Sequence, residues 1–212
     1  MVGIIALAVM GLLLYGKIKK WMNERKRTKR VDKAHEACEI DGCPTIFVSI
    51  ASYRDPECAK TMFDCFENAN KPFRVYIGVC CQDAHGDPHP LETYQKLAKH
   101  KGSHDFSDQI RIMRMDADDA MGPMHARSKI EQLYRNETYY LIVDSHTRFK
   151  PDWDVDCIAQ LKRCEQESRR AVLTSLPMDF TFADYHGSLP SRWNPSDQHT
   201  PMYTRNGLFA FS

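Results

Sequence analysis

Little in this chain leans towards one charge, a zinc knuckle or a repeat. Lys and Arg number 29 against 28 Asp and Glu, a formal net charge of +1 that argues against a dedicated nucleic-acid binder. None of the eight cysteines forms a Cys-x-x-Cys pair, which removes the common structural zinc motifs. Cys58/Cys65 and Cys157/Cys164 fall seven apart on expected helices, and Cys80-Cys81 are adjacent on an expected strand. That placement reads as mostly reduced, small core residues, in keeping with a cytoplasmic setting. No internal repeat is present, and 212 residues suffice for one domain with a substantial core. No basic residue precedes the longest uncharged run, which argues against an ordinary secretory signal peptide.

That run, VGIIALAVMGLLLYG at residues 2–16, covers about 22 Å of a roughly 30 Å hydrocarbon layer if helical. Extension to Met22 makes a span feasible, with Lys17, Lys19 and Lys20 snorkelling and Tyr15 and Trp21 at the interface. Residues 17–30 carry eight Lys/Arg against one Glu. The positive-inside rule then puts a short N-terminus outside and the rest of the chain in the cytoplasm, with the basic tract drawn to anionic headgroups. An amphipathic or partly inserted helix is the alternative. The chain divides into an anchor helix at 1–22, a basic linker at 23–44 closed by Pro44, and a catalytic-type domain at 45–212.

Within that domain strands and helices alternate. Thr45–Ala51, Phe73–Cys81, Ile110–Met115, residues 138–143 and Ala171–Leu176 read as strands. Asp55 and Pro56 read as an N-cap and first-turn pair ahead of a helix bearing Cys58, Met62, Cys65, Phe66 and Ala69. Further helices are expected around Leu91–Ala98, after Gly122-Pro123 through Met124, Ile130, Leu133 and Tyr134, and from about Asp154 to Cys164, with Trp153 packing the last helix start and Asp154 capping it. This is an α/β pattern with an open, mostly parallel sheet, whose ligands bind beyond the carboxyl ends of its strands. Residues 177–206, rich in Pro, Asp, His and aromatics, read as a long functional loop.

The sequence Thr138-Tyr-Tyr-Leu-Ile-Val-Asp144-Ser-His146 carries the chemistry. In an extended segment Asp144 and His146 point the same way, and a carboxylate with an imidazole at the end of a buried strand can hold a divalent metal against a phosphorylated ligand. Asp-x-His also begins at Asp83, Asp87, Asp184 and Asp197, and Asp-x-Asp at Asp116, Asp152 and Asp154, but only Asp144 directly follows an apolar, β-prone run. The bland reading of Asp144 is a strand-end acid capping a loop, with His146 packed beside it.

Five blocks recur in order: IFVSIASYRDPEC (46–58), MGPMHAR (121–127), YYLIVDSHTRF (139–149), Trp153-Asp154 and AVLTSLP (171–177). Together they resemble the N-acetylglucosaminyltransferases that modify hydroxyproline on a ubiquitin-ligase adaptor protein, over residues 45–212. The resemblance implies a GT-A type, Rossmann-like fold and metal-dependent, retaining transfer of GlcNAc from UDP-GlcNAc to a hydroxyl, with protein hydroxyproline as the expected acceptor. It assigns Asp144 and His146 to the metal, and the nitrogen ligand favours Mn2+ over Mg2+. Arg127 is expected on the pyrophosphate or on the acids shaping the site. Ser49, Tyr53, Arg54, Gln82 and Asp83 are expected around the nucleotide. For Tyr53 the competing role is a loop anchor, for Arg54 an ion pair with Asp55 in solvent, and for Gln82 and Asp83 an ordinary loop. Family members continue past the position of Ser212, so the chain reads either as a fragment or as a reduced relative. Two further readings stay open: a non-catalytic, membrane-tethered nucleotide-sugar or glycan-binding module, and a GT-A transferase using another UDP-hexose.

Overall fold

The computed structural model describes residues 42–174, with Tyr15, Ile18 and Met22 as isolated, exposed helical positions ahead of them. The anchor at 1–22 and the linker at 23–44 therefore fall almost wholly outside the described residues, as do the loop 177–206 and Gly207–Phe211. No described helix is long and apolar enough to cross a membrane.

Four strands form one parallel sheet: β1 (Ile46–Tyr53), β2 (Val75–Asp83), β3 (Ile110–Asp116) and β4 (Tyr139–Asp144), in the order β3-β2-β1-β4. Continuous β-branched and apolar runs give β1 and β2 the two buried faces of interior strands. On one face Val48, Ile50, Ile77 and Val79 pack against Met62, Cys65 and Phe66 of helix α1 (Cys58–Asn68) and Tyr94 of α2 (Pro90–Lys101). Trp153 and Ile158 of α4 (Trp153–Glu165) close the same core. On the other face Phe47 and Cys80 meet Ala126 and Ile130 of the short helix α3 (Pro123–Ile130). The sheet thus lies between helices on both sides, an α/β architecture.

Several local readings need revision. Asp55 does not cap α1 itself: its carboxylate accepts the Glu57 amide (2.9 Å) and its carbonyl the Cys58 amide (3.2 Å), closing a turn just before the helix. The helix after Gly122-Pro123 ends at Ile130 and tightens into a 3-10 turn over Glu131–Leu133, short of Tyr134, and Met124 in its first turn is exposed. Among the described residues β4 is the sheet edge rather than an interior strand, leaving Tyr140 and Ile142 exposed; Ala171–Thr174 has no regular structure and supplies no neighbour. Six described cysteines are free thiols, but Cys43 is disulfide-bonded, an exception to the reduced reading. Burial pushes the Cys58 thiol up to about 12 and the Cys157 thiol to about 11, as for inert core residues.

Two positions generate stability predictions. The Asp154 carboxylate does not cap α4; it is fully buried and accepts the Asn70 amide (2.7 Å), the Lys71 amide (3.1 Å) and the Arg74 guanidinium (2.8 Å), locking α4 to the turn before β2. Asp154→Ala strands a buried guanidinium and should cost about 3–5 kcal/mol in urea denaturation of the whole chain; a loss too small to measure contradicts this role. Gly78 faces the Phe47 ring, and a Cβ there would sit 2.2 Å from the ring's ζ carbon. Gly78→Ala should destabilise by about 1–3 kcal/mol by the same measurement, because the ring is enclosed by Ile130, Tyr134 and Tyr140. Unchanged stability would mean the ring moves freely.

Candidate active site

The strand order fixes where a ligand can enter. From β1 the chain moves outward to β2 and β3, then returns to place β4 on the other side of β1. Helix α3, which leads into β4, packs on the face opposite α1, whereas α1 and α4, which follow β1 and β4, share one face, so the loops leaving the carboxyl ends of both strands run to the same side. Ala51 pairs with Asp144 there, bringing Ser52–Asp55 alongside Asp144–His146.

His146 does not lie in extended backbone. The strand stops at Asp144, whose carbonyl accepts both the Thr147 amide (3.2 Å) and the Thr147 hydroxyl (2.8 Å), making a turn. The alternation argument therefore fails in its geometry. Asp144 and His146 are both exposed while Ser145 is buried, with Asp144 set against Arg127 and His146 against Asp55.

Helix α1 dictates this turn. The Thr61 hydroxyl reaches the carbonyls of Ser145 (2.6 Å) and Thr147 (3.0 Å). The Asp64 carboxylate accepts the Phe149 amide (2.5 Å), and Glu57 pairs with the Arg148 guanidinium. Phe149 then packs on Trp153, anchoring the far end of the loop in the core.

Two charge pairs stand at this end of the sheet. Arg127 Nη2 lies 3.2 Å from Asp144 Oδ1, a single-ended contact; Nη1 approaches the Met124 sulfur, and Nε is buried without a hydrogen-bond partner. Opposite, Asp55 Oδ2 receives the Ser145 hydroxyl (2.5 Å) and lies 3.0 Å from His146 Nδ1. Burial opposes the charged form of Asp55, but hydrogen bonds from Ser145, the Glu57 amide and His146 together outweigh it and hold the carboxyl below its ordinary range.

This donor set fits a divalent cation in part. An exposed carboxylate and an imidazole whose Nδ1 meets a carboxylate form the ligand and outer-shell pattern common at metal sites. Among the described residues no group of three or more His, Cys, Asp or Glu side chains is gathered for an ion, so further ligands must come from elsewhere.

The residues expected around a nucleotide separate. Gln82 and Asp83 end β2 as buried side chains, and Gln82 Nε2 and Asp83 Oδ2 lack hydrogen-bond partners. Burial pushes the Asp83 carboxyl up; Arg114, 3.9 Å away, opposes the rise and Asp87 adds to it. Ser49 lies deeper in β1, buried, its hydroxyl likewise without a partner. Tyr53 exposes its ring at the end of β1. Arg54, in left-handed backbone at φ 49°, pairs with Asp87 at 2.9 and 3.3 Å rather than with Asp55. Asp116-Ala-Asp118 forms a local cap, with Asp116 accepting the Asp118 amide, and takes no part in the site.

Sequence reasoning missed Asp55, Thr61 and Asp64 as builders of the site. Asp55 belonged to the recognisable SYRDPEC block, but nothing in the sequence indicated its reach to His146 across 91 positions.

A protein-family model described as "Glycosyltransferase (GlcNAc)" matches residues 45–107 and 92–192, spanning every described strand. No curated protein and no solved structure matches the chain. The match covers most of the chain, including the whole parallel sheet and the turn that carries Asp144 and His146, and this chain belongs to the GlcNAc glycosyltransferase family.

Proposed function

We propose that the chain is a retaining, metal-dependent transferase with a GT-A type fold that moves GlcNAc from UDP-GlcNAc to a hydroxyl, the favoured acceptor being hydroxyproline on a ubiquitin-ligase adaptor. The observation that carries this reading is Asp144, paired with Arg127, and the exposed His146 two residues on, at the carboxyl end of β4 in a chain of this family. Asp144 and His146 are the residues that would hold Mn2+, or Mg2+ in its place. Such an ion neutralises charge on a departing diphosphate.

The protein's own groups perform the remaining tasks. Arg127 is already drawn to Asp144 and can exchange that single-ended contact for the pyrophosphate. Gln82 and Asp83 offer buried, unpartnered polar atoms to the base or ribose, and Tyr53 offers a ring face for stacking. Arg54 approaches the phosphates only by leaving Asp87, and Ser49 supports the base end from beneath. In the transfer the bond from anomeric carbon to phosphate oxygen breaks, and a bond from that carbon to the acceptor oxygen forms on the same face. The acceptor proton passes to the leaving phosphate, so no enzymic nucleophile is required.

The same reading has the domain beginning near residue 45, tethered by the apolar segment 1–22 with its basic flank 23–44, and facing the cytoplasm. Six free thiols support that compartment, whereas the bonded Cys43 counts against it.

Full-length chain in detergent, given Mn2+ and a panel of UDP-sugars with a hydroxyproline peptide, should release UDP fastest from UDP-GlcNAc. Asp144→Asn and His146→Ala should each slow it by about a hundredfold. Equal rates in wild type and both variants would remove the assigned site. Preference for another UDP-hexose would change the donor, and binding without turnover would leave a nucleotide-sugar-binding module.

A further inference from the structure

We infer that Asp55 is a positioning residue that fixes the tautomer and orientation of His146; the inference rests on His146 being a metal ligand, as proposed above. Both carboxylate oxygens of Asp55 are committed. Oδ1 accepts the Glu57 amide at 2.9 Å, while Oδ2 receives the Ser145 hydroxyl at 2.5 Å and faces His146 Nδ1 at 3.0 Å. A carboxylate has no proton to give, so the neutral ring must carry its proton on Nδ1, leaving Nε2 with its lone pair. Nε2 belongs to a side chain that is 62% exposed, whereas the Asp55 side chain is 18% exposed. The imidazole is thus anchored by its inner nitrogen and presents its outer one to whatever binds there.

The rest of the turn supports this assignment. Asp55 lies in the tight turn before α1, and α1 itself holds the carbonyls of Ser145 and Thr147 through Thr61. The carboxylate and the imidazole it faces are therefore held by one helix, from opposite ends of a sequence separation of 91. Ser145 adds a second donor to the same oxygen, which keeps Asp55 Oδ2 turned towards His146.

Asp55→Asn is the discriminating change. An amide retaining its oxygen on the Glu57 amide must turn its NH2 towards Ser145 and His146, so Nδ1 becomes an acceptor and the proton moves to Nε2. The reversed amide instead loses the Glu57 bond by setting NH2 against an N–H. Side-chain nitrogen NMR of the full-length chain above the imidazole titration, without metal, should show the Nδ1–H form of His146 in wild type and the Nε2–H form in Asp55→Asn. Manganese titrated alone and followed by its electron paramagnetic resonance should bind the variant about 10–100-fold more weakly. On a His146→Ala background Asp55→Asn should change manganese affinity no further. An Nε2–H tautomer in wild type, an unchanged tautomer in the variant, or additive losses in the double variant would each overturn the positioning role. Absence of manganese binding in wild type, with the tautomer shift intact, would instead sink the metal reading while leaving the Asp55–His146 relation in place. Should Asp55→Asn fail to fold, Ser145→Ala takes its place as a milder test. It removes only the second donor on Oδ2 and should weaken manganese binding by less than about tenfold relative to wild type, with Nδ1–H retained; a switch to Nε2–H there would overturn the role equally.

Discussion

Two polar side chains of α1, Thr61 and Asp64, set the path of the loop that carries the site. Both are buried and both bond main-chain atoms of the loop after β4; Thr61 also accepts from the Arg148 side chain, and Asp64 from Asn68 of its own helix. A parallel strand that ends at a sheet edge has no neighbour to steer its last residues on the free side. Here the steering comes from below: Thr61 holds two carbonyls, Asp64 holds the Phe149 amide, and Glu57 holds Arg148. Buried polar contacts of this kind are costly to leave unsatisfied, so the turn has one favoured conformation. Asp144 and His146 face solvent because everything between and after them is tied inward.

Charge at the carboxyl ends of β1 and β4 is balanced in a manner suited to the anionic ligand and cation we propose. Asp144 alone would repel a diphosphate, but Arg127 sits against one of its oxygens, and Asp55 is engaged by donors on both of its own. The Arg127 pair is partly exposed and held through one contact, so it is weak enough to rearrange. By contrast, Arg74 and Asp154 form a buried, multiply bonded unit whose task is to hold α4 in place. Salt bridges near the rim can reorganise on binding, and those in the core cannot.

Periodicity in the sequence was enough to locate four strands and four helices to within a few residues, because each apolar run is bounded by Pro, Gly or a polar cluster. The tripeptide Asp144-Ser-His146, to which we assign the metal, stood out by its position after the apolar run Tyr139–Val143. What periodicity could not reveal were contacts across long separations. Asp55 looked like a helix cap because the sequence Asp-Pro-Glu favours one locally, yet tertiary contacts gave its carboxylate to Ser145 and His146. Asp154 misled in the same way, its carboxylate going to residues 70–74 rather than to its own helix. Arg54 found Asp87 because a left-handed backbone at the end of β1 turns it towards the loop after β2. The edge position of β4 was hidden as well, since Tyr140 and Ile142 are as apolar as any interior strand residue.

Anomalous diffraction from crystals of the protein grown with UDP and Mn2+ tests the central claim most directly. The account predicts a manganese peak touching an Asp144 carboxylate oxygen and the outer nitrogen of His146, with the diphosphate against Arg127. A manganese peak elsewhere on the protein, or a bound diphosphate with those two side chains turned away from it, would contradict the account.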